Sequence, residues 1–170
     1  LSEAVALGLV DTLAEFGIGA RIKWTNDIYV GDRKICGVLI EHDLRGAHLA
    51  RTIVGIGLNV NQVEFDPALP NPTSMSRLAG REFDREEVLQ TLARKIMARY
   101  DELAEGASEQ LQSDYHALIY RRDEAHTYRL PDGTPFEGTI RRVEADGTLI
   151  VEHSDGSEQG YLFKQIEFVI

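Results

Sequence analysis

The sequence has little of what marks secreted or membrane-spanning proteins. Its 170 residues include a single cysteine, Cys36, which permits no internal disulfide and is typical of a reducing compartment. No apolar run approaches the roughly 20 residues that a membrane-spanning helix needs, and no secretory signal peptide is visible. We therefore expect a cytoplasmic protein with no membrane partner.

Basic residues are also scarce. Lysine and arginine number 18 against 28 aspartate and glutamate, which gives a net charge of −10. Because affinity for a phosphate backbone comes from a positive surface, nucleic acid is not indicated as a partner. A local basic pocket for one nucleotide stays compatible with this balance. The five histidines show no metal-ligand spacing and no cysteine pair is present, so no metal site is predicted.

The composition is that of a globular protein of one domain, or one and a half. Hydrophobic residues make up 43% and charged residues 27% of the chain. The chain begins at Leu1, without an initiator methionine, inside a helix-like pattern. We therefore expect a further segment upstream.

Residues 23–41 combine a hairpin pattern with an unusual set of polar residues. Two alternating runs, 26–30 and 34–41, flank Gly31 and Asp32, which is the usual signal for a β-hairpin. Its apolar residues are expected to be buried, namely Trp24, Ile28, Val38, Leu39 and Ile40.

The charged residues of this hairpin allow two interpretations. Two ammonium groups, Lys23 and Lys34, beside the Asp27 carboxylate could hold an anionic ligand, as group-transfer sites do. Alternatively, Thr25 and Asn26 bond the local backbone in a turn, and Lys34 is a solvated edge residue. On spacing alone the simpler, structural interpretation is favoured.

Helices and strands of one α/β unit surround the hairpin. A helix precedes it, and residues 48–61 predict a strand in which Gly55 and Gly57 mark packing, a bulge, or close approach of a ligand. Residues 62–72 predict a loop, Thr73 or Ser74 caps a short helix, and Asp84 caps a longer one. The apolar face of that longer helix is expected in the core: Val88, Leu89, Leu92, Ile96, Met97 and Tyr100.

The composition changes after residue 121. Three Asp-Gly turns, at Asp132, Asp146 and Asp155, separate short alternating strands. Strands at this spacing form a small all-β barrel or sandwich. The predicted domains are therefore 1–122, with a mixed or antiparallel sheet packed by helices, and 123–170.

Five motifs in order resemble the biotin–protein ligases (biotin–[acetyl-CoA-carboxylase] ligases). Any one of them alone is a weak signal. They are Lys23-Trp24-Thr25-Asn26-Asp27, Lys34-Ile35-Cys36-Gly37, the run to Glu41, Gly55-Ile56-Gly57-Leu58-Asn59 and Pro72-Thr73-Ser74-Met75. The resemblance implies the α/β fold of the class II aminoacyl-tRNA synthetases and biotin ligases, here the C-terminal part of the catalytic domain. A Src-homology-type barrel would follow it.

The same resemblance implies an activity. This family condenses biotin with ATP to biotinyl-5'-adenylate and transfers biotin to a lysine of a biotin carrier domain of a carboxylase. Biotin, ATP and the carrier domain are then the partners, and Mg²⁺ accompanies the reaction. The resemblance also allows a homodimer. Lys34 matches the lysine that holds the biotin carboxylate and the adenylate phosphate, so it would be catalytic.

The remaining site residues follow from the same motifs. Asp27 matches the signature aspartate, which could orient the incoming lysine or help deprotonate it. Asn26 would fix that carboxylate, and Asn59 matches the asparagine near the phosphates and metal. Gly37, Val38 and Leu39 would line the biotin slot.

Two departures from the family pattern leave alternatives open. Thr25 stands where the family usually has proline, which removes a fixed φ from the turn. The Gly/Arg-rich loop that clamps biotin and phosphates is absent from these residues and lies upstream in the family. The alternatives are a non-catalytic assembly fragment that keeps the fold, and a lipoate-ligase-like acyltransferase.

Overall fold

The computed structural model describes residues 1–46 and 48–170 of the chain. The chain forms two compact units, Leu1–Tyr115 and His116–Ile170. The domain boundary expected after residue 122 stays a prediction. Within the described ranges, no helix combines the length and the apolar character needed to cross a membrane.

The first unit is an antiparallel sheet packed by helices, as the sequence predicts. Its four strands are hydrogen-bonded in chain order. The strands are β1 (Arg21–Lys23), β2 (Asp27–Val30), β3 (Arg33–Arg45) and β4 (His48–Leu58). The helices are α1 (Ser2–Glu15), α2 (Met75–Ala79), α3 (Arg85–Ala104) and α4 (Ser108–Ala117), the last of which ends two residues into the second unit.

The sheet has one buried and one open face. Ile22, Ile28 and Cys36 lie opposite one another across β1, β2 and β3, and all three are buried. Because side chains alternate along a strand, their neighbours Asp27 and Gly37, which also pair with each other, lie on the other face. The candidate site residues Asp27, Gly37 and Leu39 are on this second face.

Helix α1 approaches α3 closely at Gly8. A Cβ added at Gly8 would lie 2.7 Å from the Ile96 Cα. One turn further on, the Thr12 hydroxyl donates to the Gly8 carbonyl at 2.6 Å. The contact between the two helices therefore depends on the missing side chain at position 8.

Ion pairs add a second connection between the helices. The Arg99 guanidinium of α3 donates to Asp11 of α1 at 2.7 Å, to Glu102 at 3.1 Å and to Asp114 of α4 at 2.8 Å. Arg99 is largely buried, with 18% of its side chain exposed. One guanidinium thus connects three helices, which its five donors in a planar fork allow.

The expected core face of α3 is only partly buried. Val88 and Leu92 are 2% and 8% exposed, whereas Leu89, Met97 and Tyr100 are 57%, 53% and 45% exposed. The prediction that all of these belong to the core is therefore wrong. Successive helical residues are rotated by about 100°, so the face that contacts α1 covers only one side of an apolar surface that extends further round the helix.

Apart from the end of α4, the secondary-structure elements of the second unit are all β-strands. Its five strands form one antiparallel sheet. Tyr128, Ile140, Leu149 and Val151 are fully buried. Closure into a Src-homology-type barrel stays a prediction. The strands are β5 (Ala125–Arg129), β6 (Pro135–Val143), β7 (Leu149–His153), β8 (Glu158–Tyr161) and β9 (Glu167–Phe168). They are hydrogen-bonded in the order β8-β7-β6-β5-β9.

Three aspartates organise the turns between these strands. Asp132, Asp146 and Asp155 each accept the backbone N–H two residues further on at 2.9 Å. The backbone N–H of Thr134 and Thr148 lowers the pKa of Asp132 and Asp146, and the Ser157 hydroxyl and N–H lower that of Asp155. The glycine after each aspartate has a positive φ, as these turns require.

These pKa shifts predict an acid-dependent loss of stability. The folded pKa of each carboxyl lies below its unfolded value, near 3.9, so the unfolded chain binds more protons as the pH falls. The stabilisation is complete above that value and is lost as the pH falls through the folded pKa. Replacing all three with asparagine, which keeps an accepting oxygen, should make the decline in free energy of unfolding below about pH 5 shallower. Urea unfolding followed by circular dichroism tests this, with the parent at pH 7 as reference, and an equally steep decline contradicts it.

Candidate functional site

A β-bulge determines the direction of Lys34. Ile28 pairs with Cys36 but Tyr29 pairs with Lys34, so Ile35 is an extra residue on β3. By strict alternation, Lys34 and Gly37 would lie on opposite faces of the sheet, since they are three residues apart. The extra residue restores Lys34 to the face of Gly37, because a bulge re-aims the side chains next to it.

Lys34 and Asp27 form an ion pair over Gly37. The Lys34 Nζ lies 2.7 Å from the Asp27 Oδ1, and their side chains are 42% and 27% exposed. A Cβ at Gly37 would lie 3.2 Å from both the Cε and the Nζ of Lys34 and 3.5 Å from the Asp27 Oδ1. The missing side chain at position 37 therefore leaves room for the pair, which stays accessible to a ligand.

Two further glycines continue this surface on β4. Gly57 pairs with Gly37, and Gly55 pairs with Leu39. A Cβ at either position would lie 3.6 or 3.7 Å from a carbonyl of β3, which is ordinary contact, and neither glycine has a positive φ. Neither packing nor backbone conformation therefore requires glycine here, and the interpretation of Gly55 and Gly57 as packing glycines is not supported.

The end of this surface remote from the ion pair carries two exposed apolar side chains, and the exposed Glu41 pairs with one of them, Ile53. Leu39 is 63% exposed and Ile53 is 48% exposed, and alternation places both on the face of Gly37 and Gly57. The prediction that Leu39 is buried is wrong for this reason, and Val38 belongs to the opposite face. Between Gly57 and Ile53 the strand advances about 13 Å at 3.3 Å per residue. We call the surface the open strip: Asp27, Lys34, Gly37, Leu39, Ile53, Gly55 and Gly57.

The two asparagines make backbone connections. The Asn26 carbonyl accepts the Val38 N–H at 2.9 Å. In the described part of the chain, no hydrogen bond joins the Asn26 side chain to Asp27, whose carboxylate is held by Lys34 instead. The Asn59 Nδ2 donates to the Thr73 carbonyl at 2.9 Å. Of the expected site residues, Asp27, Lys34 and Gly37 are thus in direct contact, and Asn59 is linked through Thr73.

Sequence reasoning missed the segment that holds the Lys34 backbone. The Lys34 N–H donates to the Asn71 carbonyl, and the Thr73 N–H donates to the Lys34 carbonyl, both at 2.9 Å. We call residues 71–73 the strap. The sequence signal nearby was the start of α2, where the Ser74 hydroxyl accepts the Arg77 N–H at 3.2 Å, as predicted. No local pattern indicates pairing with a strand that lies this far away in sequence.

Cys36 takes no part in this arrangement. Cys36 is buried among the core residues of the sheet, as predicted, and burial raises the pKa of its thiol to about 12. Among the residues that the structure describes, no three histidine, cysteine, aspartate or glutamate side chains come together as a potential metal site.

Comparison with known proteins shows which proteins this chain is similar to. The model of the biotin/lipoate A/B protein ligase family matches residues 3–59, which include every expected site residue. The chain is 32% identical over 168 residues to the bifunctional ligase/repressor BirA of Bacillus subtilis (strain 168), covering 95% of this chain and 50% of that protein. The chain is thus similar in sequence to these ligases.

A second relative and a solved structure agree with this result. The biotin--[acetyl-CoA-carboxylase] ligase of Mycobacterium tuberculosis is 28% identical over 158 residues, covering 89% of this chain and 56% of that protein. The biotin protein ligase from Aquifex aeolicus in complex with biotin and ATP superposes with a TM-score of 0.77 at 24% identity, covering 99% of this chain and 71% of that chain. The predicted biotin-ligase fold is thereby confirmed. The chain spans about half the length of the curated relatives it matches.

Proposed function

We propose that this protein acts in ATP-dependent biotinylation. Biotin would be activated to biotinyl-5'-adenylate and transferred to a lysine of a biotin carrier domain of a carboxylase, in the cytoplasm. The observation that carries this proposal is the Lys34–Asp27 ion pair, at 2.7 Å, at one end of the open strip. A charged end followed by bare backbone and exposed apolar side chains suits a ligand with an anionic head and an apolar body.

Lys34 would serve the first step. A carboxylate oxygen of biotin attacks the α-phosphorus of ATP, the bond to the bridging oxygen breaks, and pyrophosphate leaves. Two anions approach each other in this step, so a fixed cation next to them lowers the barrier. The Lys34 ammonium has three donors, and the bond to Asp27 uses one of them. The other donors would be available to the carboxylate and the phosphate.

Asp27 would serve the second step. The amine of the carrier lysine attacks the acyl carbonyl of the adenylate, an amide bond forms, and AMP leaves with the electrons of the broken C–O bond. The amine loses its proton in this step. The Oδ1 of Asp27 is bonded to Lys34, and its Oδ2 would orient the amine or take up that proton. Transfer therefore places the carrier lysine beside the ion pair.

The other matched residues would bind the substrates. Gly37 and Leu39 contribute backbone and an apolar wall to the biotin slot, and Val38 contributes backbone only. Asn26 is hydrogen-bonded to Val38 through its carbonyl, and Asn59 to Thr73 through its side chain. Asn59 would sit near the phosphates. Mg²⁺ would enter with the phosphates of ATP, since Mg²⁺ commonly keeps several waters and is bound largely by substrate phosphates.

Biotin-dependent exchange of labelled pyrophosphate into ATP tests the proposal with the full-length protein. Transfer of biotin to a carrier domain is then followed by mass spectrometry. Exchange with biotin but not with lipoate supports the proposed function. Exchange with lipoate alone would replace it by the lipoate-ligase-like alternative, and no exchange with either would favour a non-catalytic assembly role. A homodimer stays a prediction, which light scattering measures in the same samples.

A further inference from the structure

We infer that Asn71 is a positioning residue for Lys34 and acts through the backbone of the β2–β3 hairpin. The inference deepens the proposed function, because it concerns how the cation of the same site is held in place. Nothing in the motif pattern points to Asn71. It lies in the loop of residues 62–72, and the next residue, Pro72, begins the last of the matched motifs.

Three hydrogen bonds connect the strap to the hairpin. The Asn71 carbonyl accepts the Lys34 N–H at 2.9 Å, and the Asn71 Nδ2 donates to the Asp32 carbonyl at 2.7 Å. From the other end of the strap, the Thr73 N–H donates to the Lys34 carbonyl at 2.9 Å. Both backbone groups of Lys34 and the turn that precedes it are therefore fixed from one distant segment.

The bulge explains why Lys34 needs this support. Beside a bulge the regular ladder is disrupted and the local twist increases, so the adjacent residue is less constrained by its partner strand. Lys34 lies directly before the extra residue Ile35, at the point where the register with β2 shifts. The strap supplies the backbone hydrogen bonds that continue the sheet at this position, in a short parallel bridge between Lys34 and Pro72.

The backbone position of Lys34 in turn sets the position of its ammonium. The side chain crosses Gly37 at contact distance and reaches Asp27 at 2.7 Å. A shift of about 1 Å in a positioning group can cost about 10²-fold in rate, because the reacting groups are no longer aligned. Asn71 is suited to prevent such a shift, since its amide donates to Asp32 while its own carbonyl accepts from Lys34.

Substituting Asn71 distinguishes the positioning of Lys34 from simple anchoring of the loop. Asn71→Asp keeps the shape but removes the donor and turns a carboxylate oxygen towards the Asp32 carbonyl. Gln62→Ala is the matched control, because Gln62 makes one side-chain bond to the backbone, to the Glu64 carbonyl at 2.9 Å, at the other end of the same loop. We expect Asn71→Asp to lower the maximal rate of biotin-dependent pyrophosphate exchange by about 10-fold or more. Gln62→Ala should retain the parent rate, and both variants should melt at similar temperatures.

A double-mutant cycle tests whether Asn71 acts through Lys34. Biotin affinity is measured by calorimetry in the parent, Asn71→Asp, Lys34→Ala and the double variant. If Asn71 positions Lys34, its substitution has no further effect once the ammonium is gone. Additive losses of affinity would overturn the inference, as would a parent-like exchange rate in Asn71→Asp.

A readout independent of biotin keeps this inference distinct from the proposed function. Hydrogen exchange of the Lys34 amide and acylation of the Lys34 amine by an isotope-coded reagent are followed by mass spectrometry in the same variants. Faster exchange and altered amine reactivity in Asn71→Asp, but not in Gln62→Ala, support the positioning role even if the parent protein fails to activate biotin. Unchanged exchange and reactivity in Asn71→Asp would overturn it, whatever the activity of the parent protein.

Discussion

Replacing Lys34 with alanine is expected to lower biotin-dependent pyrophosphate exchange by about 10²–10³-fold, the usual cost of removing one group that stabilises developing charge. The free energy of unfolding should stay within about 1 kcal/mol of the parent, because partly exposed ion pairs contribute at most about that much. Lys34 is 42% exposed and its charged partner is Asp27. The loss should therefore appear in the chemistry and in substrate binding, and not in folding.

Lys95 offers a matched control for this experiment. Its Nζ lies 2.9 Å from the Glu15 Oε2, and the two side chains are 29% and 40% exposed. Lys95→Ala thus removes a lysine–carboxylate pair of similar length and exposure that contributes nothing to the open strip. We expect parent-like exchange in Lys95→Ala. Parent-like exchange in Lys34→Ala, or an equal loss in both variants, would contradict the assignment of Lys34.

The sequence predicts the hairpin and a shared site for Lys34 and Asp27, but not their ion pair or the reason for their contact. The alternating runs and the turn at Gly31 predict β2 and β3, which the structure confirms. Strict alternation along β3 would have placed Lys34 on the buried face. Only the extra residue Ile35 brings Lys34 to Asp27, and a bulge leaves no local signature in this run.

The exposure of Leu39 and of one side of α3 could not be predicted from the sequence, for a different reason. The run Val38-Leu39-Ile40 is continuously apolar, so its pattern cannot say which residues face the core. The same holds for Leu89 and Met97, which extend an apolar helix surface beyond the side that contacts α1. In each case the extent of the neighbouring element decides burial, and that extent is a property of the tertiary structure.

The pairing of the strap with Lys34 is a third feature that the sequence could not predict. Its residues carry turn and helix-start signals, and these correctly predict the loop and the cap of α2 by Ser74. Pairing between Pro72 and Lys34 joins segments 38 residues apart (72 − 34). Such pairing follows from the closure of the whole unit and not from local propensity. Which residues form the site stays a prediction of the family resemblance, and the structure adds how the backbone of Lys34 is held.

The largest effect on stability is expected at Gly8, where α1 and α3 meet. Glycine inside a helix costs about 1 kcal/mol relative to alanine, so its presence needs a compensating contact. A Cβ there would lie 2.7 Å from the Cα, 2.8 Å from the Cγ1 and 2.9 Å from the N of Ile96. Two of these three atoms belong to the backbone, so a change of rotamer cannot relieve the overlap. Gly8→Val should therefore lower the free energy of unfolding by about 3 kcal/mol or more, as overpacked cores do.

Gly19 provides the matched control for Gly8, since it lies just after α1 with nothing within 4 Å of a Cβ and without a positive φ. Gly19→Val should change the free energy of unfolding, measured by urea titration, by no more than about 0.5 kcal/mol. Adding Ile96→Ala to Gly8→Val should recover only part of the loss, because the Cα and N of residue 96 remain in place. Full recovery would show that the side chain of Ile96 alone limits the approach. An unchanged stability in Gly8→Val would mean that the two helices separate at no cost, so that their spacing is not what fixes the position of α1 in the unit.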